Sequence, residues 1–407
     1  MKWEVSTIGE HCTVTSSKRF HLSDRSEVGI PFYCSKEIIQ KVKGEEITDC
    51  DYIKEEFYES VKNQFGVPES GDLLITTRGT YGIPYIYRQS DKFYFADGNL
   101  TWLKDFDASL DVKYLYYWIL SHDGQKKIDA VAKGTAQKAV PIASIKLLQF
   151  PLPPIEIQRR IADTLSTYDN LIENNQKQIK LLEEAAQRLY KEWFIDLRFP
   201  GHESTPIHDG IPEGWERKTV ADVCETVGGG TPSTSKPEYY DGGTIHWVTP
   251  SDLTKKRSLI LLETEKRITQ EGYDNSSAKM VPPETILITS RASIGFFALC
   301  EYEVCTNQGF ISCIPSSDNL RFFLLFNLMS RIDEIKGKAT GSTFLEIAKR
   351  TFREMHIVVP TENTLMLFTK QVKPIISQIR VLEKENVKLR QARDRLLPKL
   401  MSGEIEV

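Results

Sequence analysis

Two turns in this 407-residue chain each present an arginine directly after a run of aliphatic and β-branched residues. Arg78 stands in Gly71-Asp72-Leu73-Leu74-Ile75-Thr76-Thr77-Arg78-Gly79. Arg291 stands in Pro283-Glu284-Thr285-Ile286-Leu287-Ile288-Thr289-Ser290-Arg291-Ala292. Each run reads as a buried strand delivered into a turn. Thr80 and Tyr81 neighbour the first arginine, Ser290 and Ser293 the second. Further along each half comes a Gly loop. Gly134-Thr135-Ala136-Gln137 carries Thr135 and Gln137 between Lys133 and Lys138. Gly341-Ser342-Thr343-Phe344 carries Ser342 and Thr343 ahead of Lys349 and Arg350. Ser35 and Lys36, and Thr249, Ser251 and Lys255, follow strands at matching places. These residue types suit recognition rather than bond-making. A guanidinium can bond guanine at two points, and a Gln amide can do the same to adenine. Hydroxyls and ammonium groups serve phosphates or base edges. A single surface Lys or Arg is ordinarily a solvated charge, and a turn arginine can simply hold its loop in place. Placement at the same point of two halves is what marks Arg78 and Arg291 out.

No catalytic set accompanies them. GxxxxGK[ST], HExxH and GxSxG are all absent from the sequence. GGGTPS at 228–233 lacks the Lys and the spacing of a phosphate cradle and reads as a turn. Leu152-Pro153-Pro154-Ile155 only resembles the (N/D/S)PP(Y/F) run of adenine methyltransferases; a Pro at a helix start explains it better. The His residues are isolated, and the seven Cys include no CxxC, which argues against a metal site or a disulfide framework and favours a reducing cytoplasm. No apolar run approaches the ~20 residues of a membrane span, and the N-terminus has no apolar core of a signal peptide. The net charge of −4 counts against a nonspecific nucleic-acid coat but leaves room for a local basic face.

Two long helices must position these loops. From Ile155 to Phe194, Ile161, Leu165, Tyr168, Ile172, Asn175, Ile179, Leu182, Ala186, Leu189 and Trp193 recur in alternating steps of four and three. That is a heptad stripe, on a helix about 60 Å long at ~1.5 Å per residue. Phe368, Val372, Ile375, Ile379, Leu382, Asn386, Leu389, Arg393, Leu396 and Leu400 repeat the steps near the C-terminus, with Pro374 between core positions. Pairing the two stripes antiparallel, with Asn175 facing Asn386, sets Trp193 against Phe368 and Ala186 against Ile375. It also sets Tyr168 against Arg393. A polar core residue costs stability and fixes register. The competing reading packs each helix on its own domain alone.

The landmarks come twice in the same order. Lys2-Trp3-Glu4 and Gly214-Trp215-Glu216 open the halves. The helix candidates Leu115–Ala132 and Leu324–Lys338 follow the arginine turns. Phe150-Pro151-Leu152-Pro153-Pro154 and Ile357-Val358-Val359-Pro360 lead into the long helices. Short β-rich runs between turns give each half a mixed, twisted sheet. The expected domains are 1–153, a long helix at 154–197, a linker at 198–212, a second domain at 213–360 and a second long helix at 361–402.

PLPPIEIQRRIADTL…LIENNQKQIKLLEEAAQRLYKEWF (151–194) resembles the central conserved region of the specificity subunits of type I restriction–modification enzymes. RLLPKLMSGEI (395–405) resembles their C-terminal signature, and GGGTPS resembles the start of many of their target-recognition domains. The resemblance spans the whole chain. It implies an α/β protein with two mixed α/β target-recognition domains related by pseudo-two-fold symmetry and separated by two long antiparallel coiled-coil helices. It implies a non-catalytic subunit that binds an asymmetric bipartite target in double-stranded DNA. Two methyltransferase subunits and two motor-nuclease subunits would be its partners. It would hold no cofactor of its own; S-adenosylmethionine, ATP and Mg would belong to those partners. The net acidity departs from what tight DNA binding by this chain alone requires. The rival function is a coiled-coil scaffold whose two domains bind proteins and never touch DNA.

Overall fold

The computed structural model describes residues 3–19, 21, 24–45, 47–134, 138–256 and 258–406. Its contacts divide the chain into two compact units. One comprises 1–173 and 388–407, the other 174–387, so each unit contains a stretch of both long helices.

Each unit builds its strands into two sheets, where the sequence suggested one. In the first unit the antiparallel order is Thr13–Thr15, Leu100–Lys104, Leu73–Thr76, Pro84–Ile86. The matching order in the second unit is Cys224–Gly228, Phe310–Pro315, Ile286–Thr289, Phe297–Cys300, with Ile260–Leu261 added in parallel. The other sheet of each unit also holds a parallel pair: Ile30–Tyr33 with Tyr94–Phe95, and Ile245–Val248 with Val304–Thr306. Many of these strands are only two to five residues long, so each sheet is small. The central strands read Leu-Leu-Ile-Thr and Ile-Leu-Ile-Thr and are buried throughout, as unbroken apolar runs predict. A further antiparallel pair ties the start of each half to the strand before its long helix. Glu4–Thr7 pairs with Gln149–Leu152, and Glu216–Thr219 with His356–Val359.

The helix candidates are each broken in two. Val112–Leu120 and His122–Val131 replace the first. Ser121 interrupts it because its hydroxyl caps the next helix, accepting from Gly124 N at 3.1 Å. Asp318–Ser330 and Ile332–Gly337 replace the second.

The long helices run Ile155–Tyr190, followed by a π-helical turn Lys191–Ile195, and Glu362–Ser402. Their antiparallel course is visible inside each unit. In the second unit Trp193 meets Phe368 with ring centroids 5.7 Å apart, while Asn175 reaches Glu385 at 3.2 Å. In the first unit Arg393 bonds Asp169, and Leu400 joins the core that contains Ile161 and Leu165. The stripe of the first helix is buried or partly buried at every expected position. Two details of the second differ. Ile376, not Ile375, takes the fully buried place, because the stripe steps 368, 372, 376 and then 379. Asn175 bonds the Glu385 carboxylate instead of Asn386. The Asn386 amide is buried with no partner among the described residues.

The linker 198–212 carries local structure of its own. Phe199 is buried and stacks on Trp215 at 5.0 Å. Ile207–His208 and Ile211–Pro212 form a hairpin around Asp209 (φ 51°) and Gly210 (φ 75°). An Asp-Gly pair with both φ positive is the two-residue turn that matches strand twist. Among the described residues, no helix is long and apolar enough to cross a membrane.

Candidate nucleic-acid interface

The arginine turns rest on a buried threonine. In the first unit Thr76 donates from its backbone N to Ile83 O (3.0 Å). Its carbonyl accepts from Gly82 N (2.7 Å), and its hydroxyl accepts from Ile83 N (3.0 Å). In the second unit Thr289 makes the same three bonds, to Phe296 O (3.0 Å), from Gly295 N (3.0 Å) and from Phe296 N (2.9 Å). Each turn closes on a left-handed glycine, Gly82 at φ 80° and Gly295 at φ 96°. A Cβ on Gly295 would also lie 2.0 Å from Ile332 Cδ1, so a side chain there would strain the backbone and displace Ile332.

The Gly loop of each half then docks on its arginine turn. Val140 N donates to Thr77 O at 2.9 Å, and Ile347 N donates to Ser290 O at 3.0 Å. Lys133 and Ala139 exchange two 2.8 Å backbone bonds, and Thr340 and Glu346 exchange two at 2.9 Å. Ala139 also bridges to Arg78, and Glu346 to Arg291. The structure therefore brings together, in each half, two loops that are far apart in sequence. Arg78, Thr80, Lys133 and Lys138 form one exposed group; Arg291, Ser293, Ser342, Thr343, Lys349 and Arg350 form the other. Thr135 and Gln137 lie outside the described residues.

Their side chains differ. In the first half the Tyr81 hydroxyl donates to Asp129, which also holds Lys138 at 3.3 Å. The Tyr81 bond and the Lys138 ammonium hold the Asp129 carboxyl below its usual range, and the bond to Asp129 pushes the Tyr81 hydroxyl up. The three form a fixed polar group at the surface. In the second half Ile294 occupies the place of Tyr81 and is buried. Arg291 instead lies 3.5 Å from Glu346 through its Nε and is itself half exposed. Arg350 is held by Glu354 at 2.9 Å.

Other expected contact residues serve the fold. Ser35 is buried at the start of the helix Ser35–Val42, and its hydroxyl donates to Asn99 O at 3.0 Å. Lys36 beside it is exposed. Ser290 is 2% exposed and contributes through its backbone. Thr249, Ser251 and Lys255 are bonded into one network. The Thr249 hydroxyl donates to Asp252 at 2.8 Å and meets the Ser251 hydroxyl at 2.8 Å, and Lys255 pairs with Glu265 at 2.6 Å. That network caps the helix Pro250–Lys256. Asp129 and Glu346, which anchor the two loops, were not singled out in the sequence because a lone surface carboxylate carries no local signature. Among the described residues no group of three His, Cys, Asp or Glu could hold a metal ion.

Comparison with known proteins gives one consistent result. The family model of the type I restriction modification DNA specificity domain matches residues 1–184 and 212–390. The MjaIX specificity subunit of Methanocaldococcus jannaschii is 37% identical over 153 residues, 37% of this chain and 35% of that protein. The HindI specificity subunit of Haemophilus influenzae is 24% identical over 357 residues, 72% of this chain and 77% of that one. A putative MjaX specificity subunit of M. jannaschii is 27% identical over 346 residues, 83% and 79% of the two chains. The crystal structure of the type I restriction–modification S subunit from M. genitalium covers 98% of this chain and 96% of its own, with a TM-score of 0.57 at 18% identity. The repeated strand, turn and long-helix plan and a family model covering most of the chain agree, and the chain belongs to the specificity subunits of type I restriction–modification enzymes.

Proposed function

We propose that this subunit binds double-stranded DNA at an asymmetric two-part target, one part for each half, and directs partner subunits to it. The observation that carries the reading is the loop pair built twice on the same hydrogen bonds but dressed with different side chains. A shared scaffold fixes where the reading residues stand, and the unlike residues ask for unlike sequences. Arg78 and Arg291 are the fork donors of the two halves, each able to give ~1–3 kcal/mol of discrimination at a guanine. The helix pair would set the gap between the two parts of the target. Two methyltransferase subunits would methylate adenine using S-adenosylmethionine, and two motor-nuclease subunits would cleave using ATP and Mg. With a net charge of −4 on this chain, many of the phosphate contacts fall to those partners.

Binding of the subunit with its methyltransferase partner to short duplexes, across a salt series, tests this reading. The expected result is affinity that falls linearly with log salt, by close to one power per phosphate neutralised, and a preference for duplexes that carry both parts of the motif. Salt-independent retention, or none at all, would leave the chain a scaffold between proteins.

A further inference from the structure

We infer that Phe344 and Leu345 are specificity-determining residues, the apolar part of the surface with which the second half reads its share of the target. The inference rests on the DNA reading above and extends it. Phe344 is 57% exposed and Leu345 53% exposed, at the tip of the Gly341 loop. The loop is not loose there. Thr340 and Glu346 pair across its base, and Ala292 N, next after Arg291, donates to Leu345 O at 2.9 Å. Gly341 sits at φ +139°, and a Cβ on it would lie 2.2 Å from Phe344 O, so the tip closes tightly against its own glycine. Ile347, just past the tip, is buried at 2% exposure. The fold thus has an apolar side chain where it needs one and holds two larger ones outward. A pinned loop with exposed apolar side chains is a contact surface waiting for its partner.

The backbone bond from Ala292 says which partner. It makes the tip continuous with the Arg291 turn, so whatever Arg291 touches lies within reach of Leu345. On a base edge in the major groove the apolar feature is the thymine 5-methyl group. The first half supports the assignment by contrast. Three and four residues past its glycine stand Gln137 and Lys138, against Phe344 and Leu345 three and four residues past Gly341. An amide and an ammonium bond to polar edges; a ring and an isobutyl group take methyls. The two halves would therefore differ in the kind of contact made at the same point of the same loop.

The test uses the complex with its methyltransferase partner, wild type against F344A/L345A and F344Q/L345K. In F344A/L345A, losing apolar base contacts weakens binding to the target about tenfold or more, while the slope of log affinity against log salt stays the same, because no phosphate contact is removed. Mapping of methylated bases shows the second part of the motif relaxed in F344A/L345A and altered in F344Q/L345K, with the first part intact. Three results overturn the inference: an unchanged motif and affinity, equal loss in both parts of the motif, or a variant that no longer co-elutes with the methyltransferase, which makes the tip a protein contact. A wild-type complex with no salt-dependent DNA binding overturns the DNA reading itself and is thereby distinguished.

Discussion

The two halves fasten to their long helices at the same place with opposite charges. Ten residues past each turn arginine stands Arg88 in the first half and Glu301 in the second. Twenty-one residues past the strands Gln149–Leu152 and His356–Val359 stand Glu173 and Arg380. Arg88 pairs with Glu173 at 3.3 Å. Glu301 pairs with Arg380 at 2.6 Å and also with Lys384. Position is retained and sign is reversed. Exchange of the partners would bring like charges together, Arg88 against Arg380 and Glu301 against Glu173. Like charges set against a wrong partner are a general way to build specificity. The second half adds to its version. Glu284, which also pairs with Arg380, sits at φ 66°, where the first half has Gly71 at φ 99°. A non-glycine residue there costs roughly 1–2 kcal/mol of backbone strain, and the ion pair offsets that cost.

Burial decides how much each version contributes. The side chains of Arg380 and Glu301 are 23% and 13% exposed, those of Arg88 and Glu173 are 57% and 39% exposed. Replacing Arg380 by Glu leaves two carboxylates facing a third, and a loss of about 3–5 kcal/mol is expected by analogy with other broken buried pairs. Urea unfolding measures it, and the charge exchange E301R/R380E should recover part of the loss. No recovery would mean that the contact is held by packing rather than charge.

Glu183 sharpens the comparison along pH. Burial pushes its carboxyl up to about 7, and its side chain accepts a hydrogen bond from Leu259 N at 3.2 Å. The folded value lies above the unfolded one, so the contribution is fully present below the ordinary carboxylate range and is lost as pH rises through about 7. The difference amounts to on the order of 3 kcal/mol. Glu183→Gln keeps an acceptor for Leu259 and should flatten the fall in stability between roughly pH 5 and 8. A variant that keeps the wild-type slope in a pH series of melting curves would place the titration elsewhere. The smallest effect belongs to Arg88→Glu. As an exposed pair it should cost about 0.2–1 kcal/mol, less at high salt, and a loss as large as that at Arg380 would erase the distinction drawn here.

Much of this plan is written in local sequence. The helix stripe could be read because a heptad repeat is a one-dimensional signal: Ile161, Leu165, Ile172 and Ile179 are buried where spacing alone put them. The repeat could be read for the same reason. The burial of Phe199 was beyond local sequence because it depends on Trp215. Ile376 takes the place given to Ile375 because the alternation of steps is broken between Val372 and Ile379, whereas Asn386 is buried where spacing put it. The loops were legible only as residue types. Which of their groups remain outward depends on partners distant in sequence, such as Asn99 for Ser35, Glu265 for Lys255 and Asp129 for Tyr81.

The central claim is that each half reads its own part of a two-part target. Sequencing the methylated bases left by the complex, wild type beside R78A and R291A, tests it most directly. Loss of a bidentate contact should cost ~1–3 kcal/mol of discrimination. R291A should therefore relax the second part of the motif alone, and R78A the first part alone. Equal loss in both parts from either substitution would contradict it.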